Sequence, residues 1–321
     1  MESWRGWQSM FFPAGPQGVT TLRLFWAMLV VGALVYLAVI AAMVFVTARA
    51  RRRARRHEAP PPDAERRMAR AVVGATALST VILLAVLGAS VFTGRALATV
   101  PPGDPISIIV RGRQWWWEFE YEDTLASRRL VTANELHVPV GRPVVLKLMS
   151  PDVIHSFWVP NLDGKKDAIP GHVTRTWFRA DTAGVYRGEC AEFCGHQHAK
   201  MAFVVVAESP AEFAAWYERE LQPAAQPADS LRARGLEVFQ AATCAMCHTI
   251  RGTPTGGTMG PDLTHVGSRR TIAAGTLSNT RGNLAGWIVD PQAIKPGSHM
   301  PPNGLRPEEL HALLSYLEGL R

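Results

Sequence analysis

Charged residues are scarce in this sequence. Aspartate, glutamate, lysine and arginine make up 19% of its 321 residues, while 47% are hydrophobic. An average soluble domain is about 25% charged, so a wholly disordered chain is excluded and a membrane-embedded stretch is expected. A general basic excess is absent as well. The net charge is +7, but residues 47–70 hold nine arginines against Glu58, Asp63 and Glu65, a local balance of +6. The other 297 residues carry 25 basic and 24 acidic groups, a balance of +1 that argues against a nucleic-acid-binding surface. Cysteine is rarer still, with four residues in two close pairs, Cys190 with Cys194 and Cys244 with Cys247.

Two long runs have no charge at all. Leu24 to Val46 is 23 residues and Ala71 to Phe92 is 22. At about 1.5 Å of rise per residue each crosses the ~30 Å hydrocarbon core. The two runs bracket the arginine-rich connection, so they are expected to form a transmembrane hairpin in contact with membrane lipid. Basic connections stay on the cytoplasmic side of a bacterial plasma membrane. Both termini, and everything from Gly94 onward, are then on the outer, periplasmic face. Residues 1–23 lack the basic region, short apolar core and small-residue cleavage site of a signal peptide. Glu65 is followed by Arg66 and Arg67 and reads as a solvated loop glutamate.

The outer part divides at Gln222 to Ser230, where two prolines, three alanines and no large apolar residue read as a linker between a domain at 100–221 and one at 231–321. Nine residues of flexible tether give a reach of about 15–18 Å, and the second domain is expected to turn on it. In the first domain, Ile106–Val110, Trp117–Tyr121, Pro143–Met149, Val173–Phe178, Gly184–Arg187 and Ala202–Ala207 are short, β-branched or alternating, and Gly and Pro separate them. About eight such strands argue an all-β sandwich or small barrel, closed by a helix from Pro210 to Leu221. Of three consecutive tryptophans, Trp115 and Trp117 share a strand face and Trp116 lies on the other. The second domain has helices at Leu231–Ala241 and from Pro307, around an interval too irregular to supply a full apolar core. So small a domain needs an internal staple.

The cysteine pairs explain both domains. In an oxidising compartment two disulfides are the plain alternative, but the neighbours decide against it. Cys244-Ala-Met-Cys247-His248 is C-x-x-C-H, in which two thiols attach a haem and the histidine ligates its iron. Met259, His265, His299 and Met300 are candidates for the second iron ligand. Met259 is only eleven residues past His248. Met300, in the stiff Lys295-Pro-Gly-Ser-His-Met300-Pro-Pro302, is favoured, with His299 as the runner-up. The other pair lies in Cys190-Ala-Glu192-Phe-Cys194-Gly-His-Gln-His198-Ala-Lys-Met201. Soft thiolates with imidazole and thioether select copper. A mononuclear site uses one cysteine; two allow the sulfurs to bridge two coppers, each with a terminal histidine. His198 and His155 are the candidates, with His196 and His172 as their competitors. Zinc would account for cysteine and histidine but not for Met201. Neither centre offers an open position for oxygen, so the chain is expected to pass electrons.

On these residues the chain resembles subunit II of a haem–copper cytochrome c oxidase, with a fused C-terminal cytochrome c domain as in caa-type enzymes. Cys190, Cys194, His198 and Met201 match the family's copper A loop, His155 its lone upstream ligand, and Asp167-Ala-Ile-Pro-Gly171 another family segment. Gln114 to Tyr121 resembles its aromatic stretch. The resemblance implies a cupredoxin-like fold near 100–208 and an all-α cytochrome c domain. It implies a copper contact from the Glu192 carbonyl, and a magnesium shared by the Glu192 carboxylate with subunit I. It places Trp115 between the docking surface and copper A. It further implies that electrons pass from a cytochrome c or quinol-oxidising complex through haem c to copper A, and on to a haem in subunit I. Oxygen is reduced and protons are pumped there. Two other functions remain on the sequence: a membrane-anchored electron shuttle, and the electron-transfer subunit of another terminal reductase.

Overall fold

The computed structural model describes residues 8–57 and 61–321, and Glu58 of the arginine-rich connection lies outside them. Two helices form one compact unit: α1, Pro16–Arg55, and α2, Ala64–Ala98. Both extend past the apolar runs that predict them. Arginine is a strong helix former, and Arg52, Arg53 and Arg55 in the last turn of α1 suit the negative end of its dipole. Glu65 is therefore an exposed residue in the first turn of α2 rather than in a loop. Most apolar side chains of the two helices face outward, as lipid-facing residues must.

The second unit takes in residues 8–18 and everything from Val100. Its first part is a sandwich of ten strands. These are β1 Ile106–Arg113, β2 Trp116–Tyr121, β3 Leu130–Ala133, β4 Glu135–Pro139, β5 Val144–Met149, β6 His155–Trp158, β7 Lys166–Ala168, β8 Thr174–Phe178, β9 Gly184–Cys190 and β10 Ala202–Glu208. One sheet has the order β3-β2-β1-β5-β8 and the other β4-β10-β9-β6-β7. Alternation sends Ile108 and Val110, then Trp117, Phe119 and Tyr121, then Leu146 and Leu148 into the space between them. β3, β4, β6 and β7 are too short to carry a periodic signal of their own. Residues near the start of the chain also belong here: Ala14 N–H bonds Asn161 O at 2.7 Å, and Ala14 O accepts from Asp181 N–H at 2.7 Å.

Helix α3, Pro210–Leu221, begins at a capping box between Ser209 and Glu212. Its Trp216 stacks on His137 at 4.2 Å and 6°. The buried His137 imidazole bridges the Glu208 and Glu135 carboxylates at 3.0 and 3.1 Å.

The C-terminal part contains α4 Ser230–Ala241, α5 Cys244–Cys247, the small ribbon β11 Thr271–Ile272 with β12 Leu277–Ser278, then α6 Arg281–Val289, α7 Pro291–Ile294 and α8 Pro307–Gly319. The first and last helices cross closely at Gly235, where a Cβ would come within 2.2 Å of Ala312 O. Among the described residues its core has 13 buried members against 28 for the sandwich, in line with a domain that needs a staple.

Residues 222–229 have no regular structure, yet the start of the segment, Gln222 to Ala224, is tied down. Ala224 is buried, its N–H bonds Arg251 O at 2.9 Å, and Gln222 O accepts from His265 Nε2 at 3.0 Å. Arg251 also donates to the carbonyls of Leu221 and Glu220. A segment poor in apolar side chains offers no sequence sign of being held, because here its backbone is what is held.

Candidate metal centres

β9 ends on Cys190, and the chain loops back through Cys194 and a short helical turn at His198–Lys200 to enter β10 after Met201. Strand β6 runs beside β9, with Phe157 opposite Cys190, and this register delivers His155 to the same place. His155 Nδ1 lies 3.9 Å from Cys190 Sγ, and His198 Nδ1 lies 3.7 Å from Cys194 Sγ. Met201 Sδ is 3.8 Å from Cys194 Sγ, and Glu192 O is 3.1 Å from Cys190 Sγ. The two sulfurs are 3.8 Å apart. That is far longer than a disulfide bond of about 2.05 Å, and short enough for one cation at about 2.3 Å to touch both. His196 and His172, the competing histidines, are exposed and outside the cluster.

The electrostatics favour a cation here. The Cys190 thiol, hydrogen-bonded to Cys194 and close to His155, is pulled down to about 3. Cys194 is pushed up in turn by the Cys190 sulfur and by burial. The pair therefore sheds one proton readily, and a bound cation would favour loss of the second. The donor set of two soft sulfurs, two imidazoles and a thioether fits copper better than zinc.

A carboxylate that the sequence did not reveal holds the site in order. Asp152 Oδ1 lies 2.7 Å from His155 Nε2, so the proton sits on Nε2 and leaves the Nδ1 lone pair facing the sulfurs. Burial alone would raise the Asp152 carboxyl. The bonds from His155, Val153 N–H and Gln114 N–H outweigh it and hold the group below its ordinary value. The D-x-x-H spacing was the available signal. Asp152→Asn should weaken copper retention about 10–100-fold while the sheet stays intact. Competition against a chelator measures this; unchanged affinity would show that the carboxylate does not tune the site.

Gln114 Nε2 and Trp115 Nε1 both donate to Cys194 O, at 2.8 and 2.9 Å. Trp117 in β2 is buried between the sheets, Trp115 in the turn before β2 is buried too, and Trp116 is half-exposed beside the Arg113 guanidinium. Glu192 and Phe193, at the tip of the loop, are exposed.

In the C-terminal part, His248 Nδ1 bonds Pro261 O at 2.7 Å, which leaves Nε2 as the free donor. Burial lowers this imidazole and keeps it neutral. The backbone of the following loop lies flush on the motif: a Cβ on Gly260 would come within 2.5 Å of His248 Cε1, and one on Gly257 within 2.5 Å of Cys247 C. Cys244, Cys247 and His248 thus suit a covalently held haem. Of the four second-ligand candidates, His265 is committed to Gln222 O, Met259 is 73% exposed, His299 lies on the Trp115 ring at 5.4 Å, and Met300 is half-buried.

A sandwich carrying a two-cysteine soft-metal loop, joined to a C-x-x-C-H domain and to two membrane-length helices, defines a membrane-anchored electron-transfer protein with two centres. Residues 124–208 match the family described as cytochrome c oxidase subunit II, periplasmic domain, and residues 232–321 match cytochrome c. The chain is 36% identical over 322 residues to cytochrome c oxidase subunit 2 of Alkalihalophilus pseudofirmus, covering 96% of this chain and 90% of that one. It is 34% identical to the Bacillus subtilis subunit 2 over 68% of this chain and 63% of that protein. A crystal structure of the periplasmic domain of subunit II from Bradyrhizobium japonicum aligns at 33% identity and TM-score 0.36, over 38% of this chain and 96% of that one. The chain belongs to the cytochrome c oxidase subunit II family, in the form that carries a fused cytochrome c domain. It is a component of an oxidoreductase complex, with a copper A domain outside the membrane and a role in electron transfer.

Proposed function

We propose that this subunit receives electrons from an external cytochrome c or quinol-oxidising complex at its C-terminal domain, passes them to the sandwich near Trp115, and delivers them to a haem in subunit I. Oxygen reduction and proton pumping belong to that partner. Two points support the reading: His155, Cys190, Cys194, His198 and Met201 converge on one spot, and the C-x-x-C-H domain lies against Trp115 beside it. Bound copper and haem supply one-electron chemistry. The chain's residues do the rest. Cys190 and Cys194, with His155, His198, Met201 and the Glu192 carbonyl, would hold two coppers. Cys244 and Cys247 would hold the haem, and His248 and Met300 would supply its iron ligands. Trp117, Phe157 and Phe203 wall the copper loop and exclude water, which limits reorganisation when charge changes.

The exposed Glu192 carboxylate and Phe193 ring suit a face against subunit I, with Glu192 sharing a magnesium there. The arginine-rich connection puts both termini outside. Purified in mild detergent, the chain should bring a large haem-rich partner with it. In rapid mixing with a donor, its haem c absorption should respond before the copper A band. Isolation of the chain alone, or copper responding first while haem c lags, overturns the assignment.

A further inference from the structure

The hairpin that joins α7 to the loop before α8 is where the C-terminal domain meets the copper loop. Its residues are Ile294 to Met300. Lys295 is 3% exposed, and its amine donates to Trp115 O at 3.0 Å and Ala273 O at 3.3 Å. Pro296 O accepts from Gln197 Nε2, and Ile294 O from Lys200 Nζ. Gln197 and Lys200 lie inside the loop that runs from Cys194 to Met201. Close by, Ala202 N–H bonds Ala274 O at 3.0 Å, and Arg270 N–H bonds the Glu135 carboxylate at 3.0 Å. Gly297 adopts φ +81° and a Cβ there would lie 3.7 Å from His196 Cβ. Two residues on, the His299 ring covers Trp115 at 5.4 Å. Trp115 in turn is hydrogen-bonded to Cys194 O.

A lysine is an expensive choice for this position. Burial and nearby Lys200 push its amine down to about 7, and its partners are two neutral carbonyls. A methionine would fill the same space without desolvating an amine. What the amine adds is a link between three separate segments: its own hairpin, the turn at Ala273, and the backbone of Trp115.

Resting on the electron-transfer reading above, we propose that Lys295 is a positioning residue: it fixes the C-terminal domain over Trp115, so that Trp115 is closed to soluble redox proteins and is reached from this chain's own haem domain. The sandwich is then supplied internally, and outside donors meet the C-terminal domain instead.

The test uses the intact detergent-purified oxidase carrying Lys295→Met, with Lys295→Arg as the conservative variant. Haem c and copper A spectra should be those of the parent, since no ligand changes. Hydrogen exchange at residues 113–117 and 196–202 should rise about tenfold or more, the factor expected when a buried hydrogen-bond donor is lost. Direct reduction of copper by a soluble cytochrome c, followed in rapid mixing, should become faster by a similar factor, and Lys295→Arg should restore part of the protection. Parent-like exchange and parent-like exclusion of the soluble cytochrome in Lys295→Met would overturn the proposal. A second measurement needs no variant. In the native oxidase Lys295 should resist amine acylation while exposed Lys165 and Lys166 react; equal labelling of all three would overturn it too. If electrons fail to pass between haem c and copper in the parent itself, with both centres loaded, the proposed function fails and not the latch.

Discussion

Oxidised protein carrying Cys190→Ser or Cys194→Ser is expected to lose the spectrum of an unpaired electron shared between two coppers, and to bind one copper at most. The two sulfurs face each other at 3.8 Å, and each has its own imidazole: His155 beside Cys190, His198 beside Cys194. Removing either sulfur takes away half of every bridge. A serine hydroxyl is a hard donor that stays protonated at neutral pH, so it cannot take over as a soft anionic ligand. The change is nearly isosteric. A buried hydroxyl left without a partner costs about 1–3 kcal/mol, which a sandwich with 28 buried apolar core residues should survive. The loss is therefore one of metal chemistry and not of folding. Copper analysis together with electron paramagnetic resonance decides it. A two-copper signature that persists in either variant would sink the bridging arrangement.

The second large effect concerns the haem. Protein with Cys244→Ala and Cys247→Ala together should carry no haem after acid–acetone extraction, and its C-terminal domain should be unfolded. That domain has 13 buried core residues among those described, and from Thr249 to Asn279 it has little regular structure beyond a two-residue ribbon. A core this size supplies rarely more than about 3–5 kcal/mol by itself. The glycine backbone at Gly257 and Gly260 is pressed against Cys247 and His248, so this loop takes its shape from the haem-attachment motif. Loss of the domain's structure should also undock it from Trp115 and leave the sandwich with its copper. Met300→Ala is a milder change that should keep the haem attached and remove the sulfur-to-iron absorption band. Covalent haem in the double variant, or an intact band in Met300→Ala, would refute the respective assignment.

The two predictions differ in how far the sequence alone could carry them. The C-x-x-C-H motif is contiguous, and the loop from Cys190 to Met201 is short, so their chemistry is legible as spacing. The charge-free runs are equally local, as are the Pro-opened helices at Pro210 and Pro307. Strands β3, β4, β6 and β7 were not legible, because three to five residues carry too little period and their assignment depends on neighbours. The choice between His155 and His172 was open for the same reason. Pairing of β6 with β9 brings His155 to the sulfurs and leaves His172 outside.

What the sequence determined by itself is therefore the set of parts: two membrane-length helices, a β-rich soft-metal domain and a haem-attachment domain. The tertiary structure decided how the parts meet. Residues 222–229 read as a free tether because they lack apolar side chains, yet Arg251 and His265 hold the backbone of Gln222 and Ala224. Nothing in the sequence marks Lys295, yet its amine bonds the carbonyl of Trp115, 180 residues away. The physical reason is common to both. Periodicity and motif spacing report interactions within a turn or a strand. A hydrogen bond to a distant backbone carbonyl leaves no mark on the composition around either partner, and becomes visible only once the chain has brought the two together.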